Sequence, residues 1–279
     1  SLILLVLREC KMEVNKKFNN ISIFNFNESW VNVEFDDSLS KNALSENMIN
    51  ELNNFLDQIE GNDKIRGISF KGSNGMFCSG ANLKEINEIF KASEPKVKAH
   101  KISTSIGKLL KRIQSLPQVT IMIVEGAAMA GGFGIMCAGD ISIVHSKTKF
   151  SLTEAMIGLT PAQISPYVIK KAGFANAKKL MITAEKFTGD KAKEYKLADY
   201  LFNSIEELNE IEEKLKKQIL QCAPRAIIET KKILDLAFEG INQDFIDYAS
   251  KNFVDQIVDG EGREGILSFV EKREPNWKK

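Results

Sequence analysis

Glu154 stands in the run Phe150-Ser151-Leu152-Thr153-Glu154-Ala155-Met156-Ile157. A carboxyl group among apolar neighbours is costly to ionise. Burial there would raise its pKa and suit it to pass protons near neutral pH. A lone glutamate is more often a surface residue, so the residue needs company before it means anything. Two small-residue segments supply candidates. Cys78-Ser79-Gly80-Ala81-Asn82 lies between an apolar run and a helical pattern, and Gly126-Ala127-Ala128-Met129-Ala130-Gly131-Gly132-Phe133-Gly134 follows another apolar run. Small side chains let a ligand approach the main chain, and a helix that opens just beyond leaves N–H groups unpaired. Such groups suit a developing negative charge. Taken singly, each segment is equally well an ordinary strand-to-helix turn or a site of close helix packing. The order G-G-F-G does not fit the dinucleotide fingerprint, and no acidic residue ends a second strand at the required distance.

The elements that must hold these residues are legible in the hydrophobic pattern. Residues 20–25 and 30–35 alternate apolar and polar, which predicts two half-buried antiparallel strands. Residues 45–60 switch to helical spacing, with Ile49, Leu52, Leu56 and Ile59 on one face and Ser45 as N-cap. A strand is expected at Ile65–Phe70, helices at Lys84–Phe90 and Lys101–Ile113, a strand buried on both faces at Val119–Val124, and another strand at Ile141–Val144. Alternating strands and helices give an α/β core. Beyond about Ser204 the pattern is helical, over 205–218, 224–239 and 242–258. The domain reading is an extension over residues 1–11, a core over 12–204 and a helical region over 205–279. Residues 1–11 read as a remnant ahead of a true start at Met12.

Composition excludes several classes. The 279 residues are 43% hydrophobic and 27% charged, with a formal net charge of +1. This is globular composition, with no electrostatic sign of nucleic acid or an anionic membrane as partner. The opening apolar run, Leu2–Leu7, is far shorter than the ~20 residues a membrane span needs. Cys10, Cys78, Cys137 and Cys222 are widely spaced, which suits free thiols in a reducing compartment. His100 and His145 are the only histidines, so no zinc-ligand spacing exists and neither lies in a nucleophile-elbow context. Both read as non-catalytic, as do Cys78 and Cys137. A cytoplasmic location is expected.

Two backbone anion sites followed by one carboxylate resemble the crotonase (enoyl-CoA hydratase/isomerase) superfamily. The likeness runs from about Ser22 to Trp277 and includes LSKNALSENM, FCSGANLKE, VEGAAMAGGFGIMCAGDISI and EGILSFVEKREPNW. It is nearest to the branch of methylglutaconyl- and isohexenylglutaconyl-CoA hydratases, through GLTPAQISPYVIKKAG. The resemblance implies a spiral of ββα turns with a C-terminal helical region that builds trimers or hexamers. The implied substrate is an acyl-CoA thioester. No cofactor is implied beyond the coenzyme A that the substrate carries.

Residue by residue, the resemblance places the thioester oxygen on the N–H groups of Ala81 and Gly131 and the acid/base role on Glu154. It lays coenzyme A along Lys41, Asn42 and Ala43 and against Ser79, Ala81, Leu83 and Gly131. Phe269 and Lys272 match positions that reach the adenine end from a neighbouring subunit. Pro161, with Gln163, Ser165 and Tyr167, is expected to shape the acyl end. The family's other glutamate falls at Gly134, so a two-glutamate mechanism is not available. The implied reaction is hydration of a 2-enoyl-CoA with one glutamate. Delta-isomerisation, decarboxylation and a non-catalytic thioester-binding scaffold are the alternatives. Asn82 is expected to hold its loop through side-chain hydrogen bonds.

Overall fold

The computed structural model describes residues 14–27 and 29–278. The expectation for residues 1–11, and Cys10, fall outside them. The described chain divides into two compact units. One runs to Leu116 and resumes over Thr120–Leu208; the other comprises Pro117–Val119 and residues from Asn209 onward.

The first unit begins with strands β1 (Val14–Lys17), β2 (Ile21–Asn27) and β3 (Trp30–Phe35), paired antiparallel in sequence order. The alternation in β3 predicts one wet face, but five of its six residues are buried. Trp30 is fully buried and gives its indole N–H to Ser69 Oγ at 3.0 Å, so a large apolar surface is hidden without stranding its polar atom. Helix α1 (Glu46–Ile59) follows, capped by Ser45, whose hydroxyl accepts from Met48 N at 3.1 Å. Its apolar stripe is buried, as the spacing predicts.

Strand β4 (Gly67–Gly72) pairs parallel to β3. Then come the short helix α2 (Leu83–Asn87), a 3-10 turn and the long helix α3 (Pro95–Ser115). The spacing predicts α3 only from Lys101. It begins six residues earlier because Pro95 occupies the first helical turn, where a missing N–H costs nothing. Strand β5 (Val119–Val124) is buried at every position.

Short strand β6 (Ala127–Met129) is not predicted by the pattern, since three small residues carry no alternation. Helix α4 (Gly131–Ala138) is buried along its whole length. Strand β7 (Ile141–His145) pairs parallel to β5. Strand β8 (Lys149–Ser151) leaves that sheet and pairs with β6. Helices α5 (Ser165–Ala172) and α6 (Phe174–Thr183), strand β9 (Phe187–Thr188), helix α7 (Gly189–Glu194) and strand β10 (Tyr200–Phe202) complete the unit.

Two sheets result, with orders β1-β2-β3-β4-β5-β7-β10 and β6-β8-β9. Asp140 fastens β5 to the turn before β7: its carboxylate accepts from Thr120 N at 2.8 Å and Thr120 Oγ1 at 3.0 Å. Phe133 of α4 meets Phe150 of β8 edge-to-face at 5.6 Å, and Phe150 stacks on Phe187 at 5.4 Å. These rings anchor α4 against the small sheet.

The second unit contains most of helix α8 (Ile205–Gln221), then α9 (Pro224–Glu239), α10 (Gln243–Val258) and α11 (Glu261–Val270). Glu229 binds Tyr248 Oη at 3.0 Å and Asn252 Nδ2 at 2.7 Å, joining α9 to α10. Glu261 accepts from Arg225 N and Ala226 N, closing the open N-terminus of α9. Phe238, Phe253 and Phe269 are each at least 60% exposed. No helix among the described residues is long and apolar enough to cross a membrane.

Candidate active site

The two small-residue segments are hydrogen-bonded to each other. Cys78 N donates to Ala127 O at 3.2 Å, and Met129 N returns a bond to Cys78 O at 3.0 Å. Gly80 has φ +99, and a Cβ there would meet Met129 O and Ala130 Cβ at 3.0 Å. Ala130 itself has φ +47 and ψ −117, a conformation that costs a non-glycine residue about 1–3 kcal/mol. It is held there by Ala130 N donating to Ser151 O at 3.0 Å. The strained turn opens α4 at Gly131.

Ala81 and Gly131 are therefore neighbours: a Cβ on Gly131 would lie 3.6 Å from Ala81 N. Among the described residues, no acceptor takes the N–H of either. Both residues line one pocket of about 430 Å³. Two unspent main-chain donors on a pocket wall can receive charge that develops on a ligand oxygen.

Ser151 also leads toward Glu154. The chain turns into a 3-10 segment, Glu154–Ile157, closed by Gly158 in the left-handed region at φ +77. Leu159 N donates to Glu154 O at 3.0 Å, which fixes the turn. Glu154 lines the same pocket as Ala81 and Gly131 and is its only ionisable wall residue among those described. Its Oε2 is buried and has no hydrogen-bond partner among the described residues. Burial pushes the carboxyl pKa up from the usual glutamate value. Of its apolar sequence neighbours, Leu152 is buried, whereas Met156 is 63% exposed and Ala155 is also exposed.

The model of the family described as enoyl-CoA hydratase/isomerase matches residues 25–279. The chain belongs to that family. Among solved structures similar to this family member are Pseudomonas aeruginosa AtuE and an enoyl-CoA hydratase/isomerase from Marinobacter aquaeolei. AtuE has a TM-score of 0.89 at 30% identity, covering 94% of this chain and 100% of its own. The Marinobacter protein has a TM-score of 0.88 at 27% identity, with the same coverages of 94% and 100%. A mitochondrial methylglutaconyl-CoA hydratase from Mus musculus is 28% identical over 250 residues, 85% of this chain and 76% of its own. The crotonase-type α/β fold expected from the sequence is thus the fold observed.

In this enoyl-CoA hydratase/isomerase family member, the loop before α1 lies directly against the first small-residue segment. Ser79 N donates to Lys41 O at 3.1 Å, Ser79 Oγ to Ser40 O at 3.1 Å, and Leu44 N to Gly80 O at 2.8 Å. Lys41 and Asn42 are both left-handed, at φ 57 and 56. Lys41 is exposed and Ala43 is buried. Asn42 is not free to contact a ligand with its side chain. It is 1% exposed, its Oδ1 accepts from Asp37 N at 2.8 Å, and its Nδ2 donates to Met76 O at 2.7 Å. Its amide ties three loop segments together. Asn82 caps α2 through Lys84 N at 3.0 Å and Glu85 N at 3.4 Å, the loop-holding role expected of it.

Ser79, Leu83, Pro161 and Gln163 all line the pocket. Ser165 and Tyr167 are absent from its wall: Ser165 Oγ bonds Ala162 O at 3.0 Å, and Tyr167 packs in the core. Both belong to α5, in whose first turn Tyr167 and Val168 are buried and Pro166 is exposed. Phe269 lies on α11 and Lys272 just beyond it at φ 53, both in the second unit. His100 is exposed, and His145 takes Lys147 N and packs edge-to-face on Phe202. Burial pushes the thiols of Cys78 and Cys137 up to about 12, so neither is a ready thiolate.

Sequence reasoning missed several contributors, Ile86 of α2 and Ile89 among them. Helix α3 supplies Ile102, Ser103 and Ile106 to the pocket wall. Their spacing of one and four along a helix is the only signal they carry, and any amphipathic helix shares it.

Proposed function

We propose that this family member is a hydratase of 2-enoyl-CoA thioesters that works with a single carboxylate. The observation that carries the reading is one pocket holding both unspent N–H donors, of Ala81 and Gly131, and one elevated carboxyl, Glu154, with no second ionisable group among the described residues.

The thioester carbonyl oxygen lies on the two N–H groups, each of which supplies roughly 3–4 kcal/mol to a charge-accumulating transition state. Glu154, as carboxylate, takes a proton from a water. The water oxygen bonds to C3, the C2–C3 π electrons move onto the thioester as an enolate, and the N–H pair holds that charge. Glu154 then returns the proton to C2 and is a carboxylate again. The unpartnered Oε2 is the atom suited to hold the water. Coenzyme A runs along the backbone of Lys41–Ala43 and past Ser79 and Leu83. The exposed apolar side chains of the second unit fit burial in a homotrimer, where Phe269 and Lys272 reach a neighbour's nucleotide end.

The same observation favours a second reading, delta-isomerisation. Glu154 would take a proton from C2 and return it at C4, which also requires only one carboxylate. An absorbance assay at the enoyl-thioester band separates the two. Crotonyl-CoA and 3-methylcrotonyl-CoA are mixed with the protein and with Glu154→Gln. Loss of the band with a 3-hydroxyacyl-CoA product, absent in the variant, supports hydration. An unchanged band, with a 3-enoyl-CoA converted to its 2-enoyl isomer instead, sinks hydration in favour of isomerisation.

A further inference from the structure

The wall of the Glu154 pocket contains no cation among the described residues. Its polar side chains besides Glu154 are neutral: Ser79, Ser103, Thr153, Thr160 and Gln163. The lysines of α3 nearest in sequence are engaged elsewhere. Lys101 Nζ bonds Glu46 Oε1 at 2.6 Å and Lys98 Nζ bonds Glu88 O at 3.4 Å, and both residues line a different cleft. The remaining wall is aliphatic, contributed chiefly by Leu83, Ile86, Ile102, Ile106, Ile157 and Ile164.

One pair on this wall is built in place. Gln163 Nε2 donates to Ser103 Oγ at 3.0 Å, bridging the segment after Glu154 to α3. Gly107, one turn further along α3, makes the space: a Cβ there would lie 2.3 Å from Gln163 Oε1. The bridge presents dipoles and no charge. A carboxylate carried by a ligand would meet no counter-ion on the described wall, and it would share the pocket with Glu154. Both effects are unfavourable.

We infer that the acyl chain this pocket accepts is uncharged along its length, and that a thioester whose acyl chain ends in a carboxylate is disfavoured. The inference rests on the acyl-thioester reading above. It departs from the substrate for which the Mus musculus relative is named, since the acyl chain of methylglutaconyl-CoA ends in a free carboxylate.

The test uses saturated thioesters, which bind without reacting. Pentanoyl-CoA and glutaryl-CoA share a five-carbon chain and the whole of coenzyme A, so their difference in Kd reads the acyl terminus alone. Calorimetry on the full chain should give pentanoyl-CoA at least about tenfold the affinity of glutaryl-CoA. Ile102→Lys, checked for native secondary structure, should shift the ratio toward glutaryl-CoA. Equal or tighter binding of glutaryl-CoA by the unaltered protein overturns the inference, whatever the variant does. A pentanoyl preference without detectable hydration supports the inference and removes the hydratase reading. Failure of both thioesters to bind sinks the thioester reading and the inference with it.

Discussion

The Cβ that Gly134 lacks would sit 2.3 Å from Cγ2 of Ile164. Ile164 is 3% exposed and belongs to the core, so the glycine and the isoleucine are a packed pair. The space that a larger side chain would need at position 134 is taken by Ile164. Gly134→Ala should therefore overpack the site and lower stability by about 1–3 kcal/mol. Adding Ile164→Ala should recover part of the loss in the double variant. Thermal unfolding of the two single variants and the double variant checks this, and additive losses would mean that the pair is not in contact.

Glu154→Gln should lower kcat by roughly 10²–10⁴-fold, the range a positioned acid/base group contributes. The amide keeps the shape of the side chain, so the Kd of a saturated acyl-CoA should be nearly unchanged. A variant that loses binding along with turnover would point to a structural role.

The same substitution has a consequence for stability. Burial raises the Glu154 pKa in the folded chain above its unfolded value, so the folded form holds that proton more tightly. By linkage, the group favours folding below its unfolded pKa, and that favour is lost as pH rises through the folded pKa. Glu154→Gln should thus have the higher Tm at neutral pH, with the difference shrinking as pH falls below the ordinary glutamate range. Paired melting curves at pH 4 and pH 7.5 decide the matter. The activity limb attributed to Glu154 should fall on the acid side, at a pH above that of an exposed glutamate.

Asn42→Ala should cost about 1–3 kcal/mol, because it leaves Asp37 N and Met76 O without their buried partner. Asn42→Gly loses the same bonds but tolerates φ 56 without strain, so it should be the milder of the two. Chemical denaturation of the three proteins ranks them; an alanine variant as stable as the parent refutes the tie.

Periodicity made α1, its Ser45 cap, β5 and the helical C-terminal region legible, because each buries a regular stripe or run. It could not show β6, where Ala127–Met129 are held by bonds to Cys78 and to β8 rather than by side-chain pattern. Nor could it separate Tyr167, which faces the core, from Gln163, four residues earlier, which faces the pocket. The turn into α5 decides that. Glu154 was legible as a carboxyl in apolar company, but the pocket it lines is completed by distant segments, α2 and α3 among them. Asn42 carried a family likeness at the level of the motif, whereas its side-chain work within the loop depends on contacts with positions five and 34 residues away.

The two unspent donors at Ala81 and Gly131 belong to the main chain. No ordinary replacement at either position erases an N–H; proline alone does so. These donors are thereby carried by conformation, through the bonds of Cys78, Met129 and Ala130. The carboxyl in the same pocket depends on a single codon, at position 154. Drift among small residues can leave the donors standing indefinitely, while one nucleotide change can silence the acid. On the mechanism proposed above, descendants of such a chain are more easily emptied of proton chemistry than of their grip on a ligand's oxygen.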